Sequence, residues 1–364
     1  MSKFWSKSTH NLAPYSPGEQ PQDKQYIKLN TNENPYPPSP LAIQAMHDAA
    51  NEDMRLYPDP ELKKLKDAIA EFYAVSPEQV FVGNSSDEVL AHTFAALFKQ
   101  DRQKNKSLLF PDISYSLYPS FCRLFDIKYE QIPVADDFTI QVDDYKKDNS
   151  GIIIVNPNAP TCIALSLDKI ESILKANPDS PVVIDEAYVD FGAQTAIALI
   201  NKYPNLLVTQ TFSKSRSLAG LRVGFAVGSA ELIEGVERVK NSFNPFPLDR
   251  IAVAAAIASI NDKNYFESTC KKIIKTRNET REQLISLGFE VSVSSTNFLF
   301  AKPKEGINAE SLYLSLKEKG VLIRYFNAPR IDGYIRITIG TDKEMAVFLE
   351  KIESLMQGQT INNF

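Results

Sequence analysis

Short apolar runs recur along the chain up to about residue 230, and between them apolar residues return at helical spacing. The runs Val80–Gly83, Ser107–Pro111, Tyr129–Val134, Gly151–Asn156, Pro181–Asp185, Leu206–Thr211 and Val223–Gly228 are predicted strands. Helices are predicted at Ser86–Lys99, Tyr115–Phe125 and Leu167–Ala176, and at Glu61–Tyr73, which opens after Pro58-Asp59-Pro60. Parallel strands need crossover connections, so this alternation predicts an α/β fold with a mostly parallel sheet and helices on both faces.

The pattern changes near residue 248. Leu248–Ile260 and Asn264–Leu287 read as long helices, the second with alternating charges on a solvated face. A strand at Glu290–Ala301, a helix at Ala309–Lys319, strands at Val321–Phe326 and Tyr334–Gly340, and a last helix at Lys343–Met356 complete a smaller α+β unit. The first residues are polar and rich in proline. The expected organisation is an N-terminal arm over 1–35, a large domain over 36–245 and a small C-terminal domain over 246–364.

Composition removes several classes of function. In 364 residues, 40 Lys+Arg stand against 45 Asp+Glu, a net charge of −5 that gives no global attraction to nucleic acid or an anionic membrane. No apolar run approaches the roughly 18–20 residues that span a bilayer, and the first residues lack the apolar stretch of a signal peptide. A cytoplasmic location is expected. The cysteines, Cys122, Cys162 and Cys270, are odd in number and far apart, and the histidines, His10, His47 and His92, have no metal-ligand spacing. If the chain is an enzyme, something other than imidazole, thiolate or metal carries its chemistry.

In a doubly wound sheet, ligands gather beyond the carboxyl ends of the strands. Read in order, those ends carry Ser85-Ser86-Asp87 opening a helix, then Ser114-Tyr115, Asn156-Pro157-Asn158-Ala159-Pro160-Thr161, Asp185-Glu186-Ala187-Tyr188 and Thr211-Phe212-Ser213-Lys214, with Arg222 beyond. Each has an ordinary reading as cap, packed ring, rigid turn or solvated charge. A carboxylate ending an apolar strand is the exception, because burying it without a partner is costly. As an ordered set they supply the parts that hold pyridoxal 5′-phosphate on a lysine. Lys214 is the lysine, and Asp185 keeps the pyridine nitrogen protonated. Tyr188 and Asn158 bond the ring hydroxyl oxygen, and Tyr115 is a stacking aromatic. Arg222, Thr211, Ser213 and the Ser86 and Asp87 amides bind the phosphate.

With these segments, the sequence resembles the fold-type I, class II-like aminotransferases, and within them the histidinol-phosphate aminotransferase family. The resemblance runs from Leu29-Asn30-Thr31-Asn32-Glu33-Asn34-Pro35 and Leu56-Tyr57-Pro58-Asp59 through Asp185 and Lys214 to Ala219-Gly220-Leu221-Arg222-Val223-Gly224 and Tyr334-Ile335-Arg336-Ile337. It implies a homodimer with shared active sites, in which Tyr57 reaches the cofactor phosphate of the partner subunit. It implies too that the Asn32–Asn34 segment, with Asn34 as a substrate-binding residue, and the N-terminal arm line the substrate entrance, and that Arg324 and Arg336 hold the anionic end of the substrate, with Arg330 a further candidate. The implied reaction exchanges amino groups between L-histidinol phosphate and 2-oxoglutarate, giving imidazole acetol phosphate and L-glutamate. An aromatic-amino-acid aminotransferase and a phospho-amino-acid decarboxylase are alternatives on the same scaffold, as is a binding protein without turnover. One departure stands out: the family's Asn-Pro-Asn-Xaa-Pro-Thr-Gly carries Ala159 at Xaa and Cys162 in place of the glycine. The ring-hydroxyl contact is therefore expected from Asn158, with Asn156 as the fallback.

Overall fold

A computed structural model of the chain describes residues 2–13, 18–99 and 106–358. Residues 1 and 14–17 of the expected arm, and 359–364 of the expected small domain, lie outside the described residues. The chain opens with a single helical turn, α1 (Lys7–His10), a two-residue strand, β1 (Ile27–Lys28), and a helix, α2 (Pro40–Ala49). Ser39 caps α2 by accepting from the Leu41 amide, and proline follows at its first position.

Next come α3 (Lys63–Tyr73), β2 (Val80–Asn84), α4 (Ser85–Thr93), β3 (Leu108–Pro111), α5 (Tyr118–Phe125) and β4 (Tyr129–Ile132). Then follow β5 (Gly151–Val155), α6 (Leu167–Ala176), β6 (Val182–Asp185), β7 (Leu206–Thr211), β8 (Val223–Gly228) and α7 (Ala230–Phe243). These strands form one sheet in the order β2-β8-β7-β6-β5-β3-β4. All neighbours run parallel except β8, which is antiparallel to both β2 and β7. Strands β5 to β8 are buried at every position, which is why each carries a continuous apolar run and does not alternate with polar residues. Each buried Ile, Val or Leu side chain there contributes roughly 1.5–3 kcal/mol.

The rest of the chain supplies α8 (Arg250–Asn261), α9 (Lys263–Ser286), β9 (Glu290–Val291), β10 (Phe298–Lys302), α10 (Ala309–Glu318), β11 (Val321–Leu322), β12 (Arg324–Tyr325), β13 (Ile335–Thr338) and α11 (Asp342–Gly358). An antiparallel sheet of order β12-β13-β10-β9 carries a second apolar core, and β1 pairs in parallel with β11. That core takes Ile273 and Leu284 from α9, Leu312 and Leu316 from α10, and Leu29 from the N-terminal segment. The alanines of α8 belong instead to the larger core, where α8 packs on α2 and α3.

Three predicted elements are broken in the structure. The helix expected over Ser86–Lys99 is α4 followed by a π-helical turn at Phe94–Phe98, and Thr93 bonds back to the Val89 carbonyl at the junction. The strand expected over Glu290–Ala301 is interrupted between β9 and β10. Ser294 and Thr296 hydroxyls bond the Phe298 carbonyl there and turn the backbone out of the ladder. The strand expected over Val321–Phe326 becomes β11 and β12, which pair in different sheets. Helices α2 and α7 went unpredicted because each buries few side chains: Ala42 in α2, and Ile233, Val236 and Lys240 in α7.

One close approach fixes the packing of β8 against α4. β8 runs beneath the first turn of α4, and a Cβ on Gly224 would lie 2.3 Å from the Ser86 nitrogen and 2.4 Å from the Ser85 carbonyl carbon. Gly224→Ala therefore has to push backbone against backbone. A lower thermal-unfolding midpoint is expected, with a cost of about 1–3 kcal/mol for overpacking. A midpoint equal to the parent's would contradict this packing.

Candidate active site

The carboxyl ends of β5, β6 and β7 face a cleft of about 470 Å³ that is closed on its far side by β12 and β13. Of the sequence-predicted residues, Ser86, Asp87, Tyr115, Asp185, Tyr188, Thr211, Ser213, Lys214, Arg222, Arg324 and Arg336 line it together. Val155, Ala159 and Pro160 form the wall between them, and the Asn156-Pro157 and Ala159-Pro160 bonds are both cis.

At one end lies a cradle for an anion. Ser85 and Arg222 both adopt left-handed backbone, with φ 72° and 56°, and the Ser85 amide donates to the Arg222 carbonyl at 2.7 Å. This holds the N-terminus of α4 beside Arg222. The Arg222 guanidinium donates to Asp87 Oδ2 at 2.8 Å, and the Tyr115 hydroxyl donates to Asp87 Oδ1 at 2.9 Å. The Thr211 hydroxyl donates to Ser213 Oγ at 3.0 Å, so two hydroxyls stand beside the helix terminus.

At the other end is Asp185, 3 % exposed. The Tyr118 hydroxyl donates to its Oδ2 at 2.9 Å, whereas Oδ1 is buried without a hydrogen-bond partner. Burial pushes this carboxyl up to about 6 against the pull of the Tyr118 hydrogen bond, and the Asp87 charge pushes it the same way. A cation set against Oδ1 would draw the carboxyl back down and favour the ionised form. The next residue, Glu186, takes no part in the cleft, because Ala196, Thr195 and Gln210 all donate to its carboxylate inside the protein.

Between the two ends stands Lys214. Its Nζ donates to the Thr31 carbonyl at 3.1 Å and lies 5.9 Å from the Tyr188 ring centroid. Burial first, and then the Arg336 charge, lower the amine to about 8 against the opposing charges of Glu33 and Asp87. The Tyr188 oxygen accepts from Asn32 Nδ2 at 3.0 Å, which leaves the hydroxyl proton available to a ligand oxygen. Arg324 and Arg336 are cross-strand neighbours, and each guanidinium lies 5.4 Å from the Phe326 ring. Arg336 donates to the Asn30 carbonyl. Arg324 has no hydrogen bond or ion pair to any described residue, so a buried anion has a ready partner here.

Four sequence-predicted residues lie elsewhere. Asn158 is spent on structure: its amide group donates to the Ile113 carbonyl and to Thr161, and the fallback, Asn156, is closed on the Leu165 backbone. Asn34 donates to the Lys214 and Ser215 carbonyls and so braces the lysine from behind. Arg330 donates to Asp112 and to the Val134 and Ala135 carbonyls, a surface clamp and no part of the cleft. Tyr57 is 79 % exposed and stacks on Phe246 at 4.8 Å. Asn32, in the segment expected at the substrate entrance, lines the cleft, and its side chain bridges Tyr188 and Thr338, a role the sequence reading did not assign it. Gly18 and Gln20 of the N-terminal arm line the cleft, and so does Phe326, which sequence reasoning passed over. Asn32 was legible in principle: its φ of 58° is a conformation that asparagine tolerates, in the same short motif as Asn34.

The sequence pattern described as aminotransferase class I and II matches residues 24–352. The chain belongs to that family. It is 54 % identical over 359 residues to histidinol-phosphate aminotransferase 1 of Hydrogenovibrio crunogenus, covering 99 % of each chain. It is 55 % identical over 356 residues to the histidinol-phosphate aminotransferase of Pseudomonas syringae pv. syringae, covering 98 % of this chain and 100 % of the other. Among solved structures, histidinol-phosphate aminotransferase from Sinorhizobium meliloti in complex with pyridoxal-5′-phosphate superposes with a TM-score of 0.85. At 22 % identity, and covering 98 % of this chain and 99 % of that one, it shows the shared fold.

The cleft of this aminotransferase fits pyridoxal phosphate on its own chemistry. A helix terminus, two hydroxyls and Arg222 suit the phosphate, the orphaned Asp185 Oδ1 suits a pyridinium N–H, and Lys214 supplies an amine of lowered basicity. In the protein freed of cofactor, labelling of Lys214 by a small amine-reactive reagent is expected to rise with a midpoint near pH 8. A midpoint near 10.5, the ordinary lysine value, would contradict the burial argued here.

Proposed function

We propose that the chain is a pyridoxal-phosphate-dependent aminotransferase that interconverts L-histidinol phosphate and 2-oxoglutarate with imidazole acetol phosphate and L-glutamate. The observation that carries this reading is a single cleft holding Lys214, Asp185 and the adjacent pair Arg324 and Arg336. Two arginines side by side repel each other unless an anion lies between them, and a phosphate dianion satisfies both better than one carboxylate does. The relatives that match over nearly the whole chain carry the same activity in their names.

When bound, pyridoxal phosphate supplies a ring that withdraws electrons from the carbon bearing the substrate amine. The chain's own residues do the rest. Asp185 Oδ1 accepts the ring N–H and keeps the proton there, since an ionised carboxylate at this buried position needs that partner. Lys214 Nζ, lowered toward neutrality, would take the proton from the amine-bearing carbon and deliver it to the aldehyde carbon of the cofactor, as a base matched to working pH does best. The Tyr188 hydroxyl donates to the ring oxygen while Asn32 holds its position. Arg324 and Arg336 fix the phosphate end, so the amine-bearing carbon stays within reach of Lys214. Ala159 at the family's asparagine position leaves Tyr188 as the side chain assigned to the ring oxygen.

The proposal includes a cytoplasmic homodimer. Tyr57 stands outside its own cleft, beside the exposed Met54, Leu56 and Phe246, and is assigned to the cofactor phosphate of a second copy. The three cysteines are free and buried, as suits a reducing compartment.

With 2-oxoglutarate present, turnover of histidinol phosphate should exceed that of phenylalanine by at least about tenfold in kcat/KM, and Lys214→Ala should abolish it. Preference for phenylalanine would favour the aromatic aminotransferase, and normal turnover without Lys214 would sink the assignment. Arg324→Ala should raise KM for histidinol phosphate about 10- to 100-fold, the loss of a charge-assisted contact, with a smaller effect on phenylalanine. An unchanged KM for the phosphorylated substrate would remove Arg324 from that role.

A further inference from the structure

Tyr118 donates a hydrogen bond to Asp185, and the geometry gives that tyrosine a task. Its ring is fully buried at the start of α5, wedged among Phe94, Phe110 and Tyr115 with centroids 5.6–5.8 Å away. A fully buried ring packed against three others has little room to move. The hydroxyl therefore sits at a fixed point, 2.9 Å from Asp185 Oδ2. An aspartate χ2 torsion is broad and roughly two-fold, so nothing intrinsic to Asp185 decides which oxygen faces the cleft.

We propose that Tyr118 is a positioning residue of the reaction: by holding Oδ2 of Asp185 it reserves Oδ1 for the ring nitrogen of the cofactor. The inference rests on the reading of the cleft as a pyridoxal phosphate site. A tyrosine hydroxyl has one proton to give, and giving it to Oδ2 favours the carboxylate that a pyridinium N–H requires. The same ring meets Tyr115 edge-on at 85°, and Tyr115 bonds Asp87, which bonds Arg222. A continuous line of contacts thus joins the residue at the ring nitrogen to the residues at the phosphate.

A merely structural Tyr118 would satisfy its own hydroxyl and nothing more, and a matched pair of ligands separates the two roles. The ligands are pyridoxal phosphate and its analogue with carbon in place of the ring nitrogen, each titrated by absorbance and fluorescence into cofactor-free parent and Tyr118→Phe. Thermal unfolding of both proteins without ligand accompanies the titration. The variant is expected to bind pyridoxal phosphate at least about tenfold more weakly than the parent, as for one lost hydrogen bond to a charged group. It is expected to bind the carbon analogue as the parent does. Equal weakening of both ligands, or of neither, would overturn the proposal. Failure of the parent to bind pyridoxal phosphate would instead overturn the reading of the cleft. Should Tyr118→Phe not fold, 3-fluorotyrosine at position 118 keeps ring and hydroxyl but makes the donor more acidic. Its affinity for pyridoxal phosphate should then move relative to the analogue, and no relative movement would overturn the proposal.

Discussion

The site depends on a backbone approach that only glycine permits. β8 enters the sheet against the direction of its neighbours and crosses under the first turn of α4 at Gly224, where a Cβ would overlap Ser85 and Ser86. Because the strands meet this closely, Ser85 and Arg222 are both driven into left-handed conformations, and the Ser85 amide closes on the Arg222 carbonyl. The same contact brings together a helix N-terminus from one edge of the sheet and an arginine from the next strand. Strand β7 beside them contributes Thr211 and Ser213, and one turn further the chain reaches Lys214. A side chain at position 224 would separate the anion cradle from the lysine.

Around that frame the chain keeps charges where water is scarce, and each survives for a stated reason. Lys214 tolerates burial by losing basicity, which is also what a proton carrier needs. Asp185 tolerates it through one tyrosine hydroxyl and an oxygen left for a cation. Asp87 is held by Arg222 and Tyr115, so its carboxylate places both without occupying the cradle as a free charge. The arginines β12 and β13 contribute come from the second core, so the cleft exists only where the two cores meet. Asn32 ties them: its backbone and side chain bond Thr338 of β13, while its amide donates to Tyr188 behind β6.

The sequence disclosed those parts of the site that interrupt a simple pattern. Strands β5, β6 and β7 open on apolar runs, so Asp185 and Lys214 were conspicuous where those strands end, and Tyr188 and Ser213 came with them. Ends of elements were blurred where hydroxyls compete for backbone, as at Thr93 and Ser294. Asn158 and Asn34 misled because an amide near a strand end looks the same whether it meets a ligand or braces a turn; only their partners, Thr161 and the Lys214 carbonyl, decide. Tyr118 stood in the same strand-end segment as Tyr115, but its task was not legible, since a buried tyrosine reads as packing until its hydroxyl is seen against Asp185.

The central claim is that this cleft moves an amino group from a phosphorylated amine onto the cofactor that Lys214 and Asp185 hold. A single-turnover experiment tests it most directly. The cofactor-loaded protein is mixed with histidinol phosphate without 2-oxoglutarate, and carbonyl product is counted against protein chains. One equivalent of imidazole acetol phosphate per chain is predicted, with the reaction then halted until 2-oxoglutarate is added. No product, or continued turnover without an acceptor, would contradict the account.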